Sequence, residues 1–242
     1  MTTAAPPGTA ALRLQGRRLY LCTPDRSDLL RFVDRCIAGG VDMVQLRDKD
    51  LDARPLLRRA QALAELCTDR DVPFILNDRP DLASACGAGG VHVGQDDAPA
   101  AVCRAILGPD AIVGLSTHEL AELHASVHEP VDYISAGPVT PTPTKPGRPG
   151  TGAGYLRQAV AAAGRPVFAT GGVTPEAVAE LAAAGVRRFV VVRYLTSSVD
   201  PEADARRLRV AIEAAGADDA AGAGDAAGAD DAAHPPVAEK CW

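Results

Sequence analysis

Short runs rich in Val, Ile and Leu recur along the chain at about residues 18–23, 41–46, 73–76, 90–93, 111–115, 132–136, 166–169 and 188–192. Segments with helical patterning separate them, at about 26–39, 53–69, 80–86, 99–107, 118–127, 153–163, 174–184 and 200–213. Several helices carry their own punctuation. Thr174-Pro175-Glu176 supplies an N-cap, a proline for the first turn and an early acid, and Gly185 closes that helix. Ala-Gly-Gly after Ile37 ends the first helix in a similar way. Eight strand–helix units in about 195 residues predict an α/β protein, a single (β/α)8 barrel of the TIM type. An open doubly wound sheet is the alternative, but the glycine-rich phosphate turn that such a sheet carries after its first strand is missing.

The two ends break the pattern. Residues 1–15, with Pro6-Pro7-Gly8, read as a loose arm, and 16–213 as the barrel and catalytic domain. Residues 214–242 form an Ala/Gly/Asp-rich tail built on three six-residue units starting at Gly216, Gly222 and Gly228. Glycine at such intervals costs a helix about 1 kcal/mol each, and no bulky apolar side chain is available for burial, so disorder is expected there.

Charge adds little once the tail is set aside. The formal net charge is −6, but residues 214–242 hold five Asp and one Glu against one Lys, and the remainder is close to neutral. No Lys/Arg cluster is interleaved with aromatics, which argues against a nucleic-acid partner. Cysteines 22, 36, 67, 86, 103 and 241 are scattered without metal-type spacing, as expected of reduced, mostly buried thiols. There is no secretory core in the first 25 residues and no run of about 20 apolar residues, so a soluble cytoplasmic protein without a membrane partner is expected. The sequence does not specify an oligomeric state.

Polar groups gather where the apolar runs end, and in a barrel those ends share one face. After the second run come Gln45, Arg47 and Lys49, alternating so that the three share a side if the strand persists. A guanidinium fork and a compact ammonium together suit a diphosphate, although such a cluster is also what a solvated loop contains. Asn77-Asp78 follows the third run and Gln95-Asp96-Asp97 the fourth. Carboxylates from neighbouring strands could converge on one cation, and a few hard oxygen ligands beside phosphate binders suit Mg²⁺ better than zinc; the competing role for each Asp is a helix N-cap. Ser116 follows the fifth run without a nucleophile elbow around it. His92 sits inside the fourth run, with a core role and a site role both open. The sixth run leads into Gly137-Pro-Val-Thr-Pro-Thr-Pro-Thr-Lys145, where threonine hydroxyls, free amides and a lysine suit phosphate oxygens. Thr170-Gly171-Gly172-Val173 and Arg193 follow the last two runs, a recurrent location for phosphate in barrels.

Taken in order, QLRDK (45–49), ND (77–78), HVGQDD (92–97), GLSTH (114–118), GPVTPTPTK (137–145) and TGGV (170–173) resemble thiamine-phosphate synthases across nearly all of 18–213. The resemblance implies a transferase that joins hydroxymethylpyrimidine diphosphate to a thiazole monophosphate and releases pyrophosphate. By similarity Asp78 and Asp97 would bind Mg²⁺. Gln45, Arg47, Lys49, Asn77, Ser116 and Lys145 would hold the pyrimidine diphosphate, with Arg47, Lys49, Ser116 and Lys145 serving catalysis. Thr142, Thr144, Gly172 and Val192–Arg193 would hold the thiazole phosphate. Arg193 departs from the small serine often found there in the family. A dissociative loss of diphosphate, aided by Mg²⁺, requires no protein nucleophile. The alternatives are a thiazole tautomerase-like enzyme acting on one phosphate ligand and a non-catalytic barrel that senses one.

Overall fold

The computed structural model describes residues 9–141 and 149–226. Eight strands close into a parallel barrel in chain order: β1 (Leu19–Thr23), β2 (Met43–Leu46), β3 (Phe74–Asn77), β4 (Gly90–Val93), β5 (Ile112–Thr117), β6 (Tyr133–Ala136), β7 (Val167–Thr170) and β8 (Phe189–Val191). The ring closes where Tyr20 of β1 pairs with Val190 of β8. Seven helices each return the chain between consecutive strands: α2 (Leu29–Ala38), α3 (Ala53–Asp69), α4 (Pro80–Cys86), α5 (Ala100–Leu107), α6 (Leu120–Ser126), α7 (Gly152–Ala162) and α8 (Pro175–Ala182). The long α10 (Pro201–Ala226) packs between α2 and α8 and completes the outer layer. As the sequence predicts, Thr174 caps α8: its hydroxyl accepts from the amide of Ala177 at 3.3 Å.

Strand side chains alternate between two cores. Those turned outward (Leu19, Leu21, Val44, Leu46, Leu76, Val91, Val113, Ile134) meet the inner faces of the helices in one continuous apolar layer. Those turned inward (Tyr20, Met43, Ile75, Ile112, Tyr133, Phe168, Val190) fill the lower lumen. Three rings meet there edge to face, with centroids 5.9 Å apart for Tyr20–Tyr133, 5.5 Å for Tyr20–Phe168 and 5.2 Å for Tyr133–Phe168.

Helix is described near both ends of the barrel. Within the arm expected to be loose, Thr9–Leu14 forms helix α1, because Ala10 and Leu14 are buried against the lumen residues and close the barrel from below. Arg13 fastens it by donating to the carbonyl of Gly89 at 3.2 Å. At the other end α10 runs past residue 213, where the tail was expected to begin, as far as Ala226. Ala215 still packs on the outer core, and the high alanine content of the following residues favours continuing a helix already nucleated. Asp42 ties this helix to the barrel floor: its carboxylate accepts from the amides of Arg18 and Leu19 and from Arg209 Nη1.

Candidate functional site

At the upper rim the inward positions turn polar. Gln45, Asn77, Ser135 and Thr170 each stand two residues above the lower-lumen residue of their strand, Ser116 stands four above Ile112, and His92 two above Gly90, so each strand from β2 to β7 supplies one. All but Thr170 are buried. They form the floor of a cavity of about 330 Å³, whose walls carry Arg47, Lys49, Asp78, Asp97 and His118 from the loops above. A second cavity of about 370 Å³ lies beside it, lined by Pro138, Gly171, Gly172, Val173, Arg193 and Tyr194 among others. Thr170, Val190 and Val192 belong to both, so the two spaces share one wall.

The first cavity holds a charged cluster. Lys49 Nζ lies 3.0 Å from Asp78 Oδ2, and Asp78 is hydrogen-bonded to Asp97. Asp97 also accepts the amide of Gly94 at 2.8 Å. Burial, then the neighbouring Asp97, hold Asp78 above the usual carboxylate range. Burial pushes Asp97 the same way, but its bonds from Asp78 and Gly94 and the charge of Lys49 outweigh that and leave it below the range. Asp78 also has a left-handed backbone, φ 60°, fixed by its amide donating to the carbonyl of His92 at 2.8 Å; such a conformation costs a non-glycine residue about 1 kcal/mol and concentrates at functional sites. Among the described residues no three His, Cys, Asp or Glu side chains cluster to hold a metal.

Below the rim the polar groups are linked. Cys22 Sγ donates to Gln45 Oε1 at 3.2 Å, and Gln45 Nε2 donates to the hydroxyl of Tyr20 at 2.6 Å. The Tyr20 hydroxyl lies 2.9 Å from that of Tyr133, which lies 2.9 Å from His92 Nδ1. His92 Nε2 is in turn 2.9 Å from Ser116 Oγ. Gln95 braces the same serine by donating to its carbonyl at 2.7 Å.

In the second cavity Gly172 has φ 75°, and a Cβ there would run into Thr140 Oγ1, so only glycine permits this close approach of loop to loop. Arg193 begins the short helix α9 (Arg193–Thr196) and lines this cavity rather than the first.

Ten of the thirteen sequence-predicted site residues are thus brought to this face: Gln45, Arg47, Lys49, Asn77, Asp78, Asp97 and Ser116 at the first cavity, Gly172 and Arg193 at the second, and Val192 between them. Thr142, Thr144 and Lys145 lie outside the described residues. Sequence reasoning missed Tyr20, Cys22, Tyr133 and Ser135, which sit within apolar runs. It also left His92 undecided between core and site, and the structure buries it within β4 with its side chain lining the first cavity.

Comparison with known proteins bears on what such a face does. The sequence profile of the thiamine monophosphate synthase family matches residues 19–195. A thiamine-phosphate synthase of Mycolicibacterium smegmatis is 45% identical over 217 residues, covering 84% of this chain and 96% of that protein. The thiamine-phosphate synthase of Thermobifida fusca is 46% identical over 215 residues, covering 86% and 98% respectively. Among solved structures, a thiamine phosphate pyrophosphorylase from Pyrococcus furiosus superposes with a TM-score of 0.77 at 30% identity, covering 84% of this chain and 98% of that one.

Proposed function

The chain belongs to the thiamine monophosphate synthase family and is a transferase, and on that premise we propose that it joins an aminopyrimidine bearing a diphosphooxymethyl group to a thiazole monophosphate, releasing pyrophosphate. The observation that carries this reading is the pair of abutting cavities with a common wall at Thr170, Val190 and Val192. Two ligands held on either side of that wall meet edge to edge, which a two-substrate condensation needs and a single-ligand tautomerase or sensor does not. The first cavity, with Arg47 and Lys49, suits a diphosphate; the second, with Gly172 and Arg193, suits a single phosphate.

Cleavage of the C–O bond leaves an electron pair on diphosphate and positive charge on the pyrimidine methylene, which the amino-substituted ring delocalises. The thiazole nitrogen then supplies its lone pair to form the new C–N bond. Arg47 and Lys49 line the cavity that would take the leaving group, and with Lys145, assigned from the sequence, they would stabilise the charge that grows there, an interaction strongest in the transition state. Gln45, Asn77 and Ser116 orient the pyrimidine. Gly172, Thr142, Thr144 and the Val192–Arg193 turn hold the thiazole phosphate, so much of the barrier falls through orientation. Asp78 and Asp97 fit Mg²⁺: two adjoining, partly desolvated carboxylates favour a cation between them, and two protein ligands would leave positions for water and diphosphate oxygens. When bound, the ion neutralises developing charge on the diphosphate.

The test is incubation with both phosphorylated heterocycles, with and without Mg²⁺, following thiamine phosphate and pyrophosphate. Equimolar formation of the two, dependent on Mg²⁺, is expected. Absence of coupled product overturns the reading.

A further inference from the structure

The chain of contacts from Gln45 to Ser116 has a direction. An amide nitrogen only donates, so Gln45 Nε2, 2.6 Å from the Tyr20 hydroxyl, makes that oxygen an acceptor. A phenol carries one proton, and Tyr20 has its other polar neighbour at Tyr133, 2.9 Å away. Directing that proton at Gln45 would set two hydrogens against each other. The Tyr20 proton therefore goes to Tyr133, and the Tyr133 proton, by the same count, goes to His92 Nδ1 at 2.9 Å. With Nδ1 accepting from Tyr133, the ring hydrogen of a neutral His92 stands on Nε2, which faces Ser116 Oγ at 2.9 Å. Burial favours the un-ionised form of both phenols, raising each above its ordinary value, so each keeps the one proton this count requires. Cys22 holds the amide in register from the other side, donating to Oε1.

We propose that Gln45, Tyr20, Tyr133 and His92 form a one-way hydrogen-bond relay whose output is the Ser116 hydroxyl, held with its own proton turned into the first cavity as a donor. Ser116 accepts from His92, so its hydrogen has to go elsewhere, and its side chain lines the cavity. The ligand atom it addresses is an acceptor without a hydrogen of its own. Resting on the function proposed above, that atom is a ring nitrogen of the aminopyrimidine, and the relay discriminates against ring tautomers that present N–H there. His92, Tyr20 and Tyr133 are positioning residues in this scheme.

The imidazole tautomer of His92 reads the direction without any substrate. Nitrogen-15 NMR of the full chain, with the His92 signals assigned by their loss in His92→Gln, is expected to show the hydrogen on Nε2 and none on Nδ1. A wild-type ring with its hydrogen on Nδ1, or on both nitrogens, overturns the relay. In Tyr133→Phe the ring loses the donor that fixes it, and in Gln45→Leu the anchor two phenols away is lost. Both are expected to give a mixture of tautomers; a fully Nε2–H ring in the two folded variants also overturns the relay. For the output, Tyr133→Phe is expected to raise the KM of the pyrimidine substrate by about tenfold, the worth of one misdirected hydrogen bond, with the thiazole KM unchanged. An unaltered pyrimidine KM in a variant with mixed tautomers would remove the role given to Ser116. Failure to form thiamine phosphate would sink the functional reading while leaving the wild-type tautomer result intact.

Discussion

The ring of Tyr133 occupies the space where a side chain on Gly114, its register partner on β5, would stand. A Cβ at 114 would collide with Cζ, Cε1 and the hydroxyl of that tyrosine. The glycine is therefore part of the polar network, although it makes no hydrogen bond within it.

Gly114→Ala is expected to destabilise the protein by about 1–3 kcal/mol, the usual cost of overfilling a packed core. It should also lower turnover more than an alanine placed elsewhere in the strand, because the displaced hydroxyl is the one beside His92. Thermal denaturation and steady-state rates measure the two effects. A variant as stable and as active as the parent would show that the lumen yields more readily than its packing implies.

How much of this was legible follows from where each residue sits. The barrel was, since its strands are buried on both faces and appear as unbroken apolar runs. The position of rim residues such as Lys49 and Asp97 was also legible, because polar groups directly after an apolar run lie at one end of a barrel, although a solvated loop or a helix cap uses the same residue types. Tyr20 and Tyr133 were hidden, because a tyrosine inside an apolar run looks like core, and here it is core as well as network. The available clue was Gly114, a glycine in mid-strand, which marks close approach by another group. Helix α1 escaped notice because only Ala10 and Leu14 anchor it, too few for a periodic signal.

Asp78→Asn and Asp97→Asn should each weaken Mg²⁺ binding and reduce turnover by roughly 100-fold or more, since either removes one of two anionic ligands. Because burial and Asp97 hold Asp78 above the ordinary range, Mg²⁺ competes with protonation of that carboxylate as pH falls. Affinity in the parent should therefore fall, and proton release per ion rise, as pH drops through the carboxylate range. Titration calorimetry in buffers of different ionisation enthalpy reads both. Unchanged Mg²⁺ affinity in either variant would place the ion elsewhere.

Gly172→Ala separates the two cavities. Alanine is strained at φ 75°, and its methyl would press on Thr140 Oγ1. The expected result is a rise of about tenfold in the KM for the thiazole substrate, equivalent to about 1.4 kcal/mol, with the pyrimidine KM little changed. Equal rises for both substrates would mean that the shared wall, rather than the second cavity alone, had moved.

Alkaline pH should erode stability. Burial pushes the Cys36 and Cys67 thiols from 9.0 up to about 12, and the Tyr155 phenol from 10.0 up to about 12. From about pH 9 upward the unfolded chain loses these protons first and the native state binds more, so unfolding free energy declines as pH rises toward about 12 and is unaffected by these groups below pH 9. Denaturant midpoints across that range should fall, and less steeply in Cys36→Ala and Cys67→Ala. A flat or rising profile would contradict the burial of these groups.

Helix α1, seated under the lumen by Ala10 and Leu14, turns an open tube into a vessel with a single mouth. The phenols are sealed from below by six residues too short to hold a helix unaided, and from the sides by the strands. Among the described residues, the cavity that opens above them is the one lined by Gln45 and Ser116. A ligand resting on Gln45 and Ser116 would therefore also be a stopper, set between the network and the mouth of the cavity.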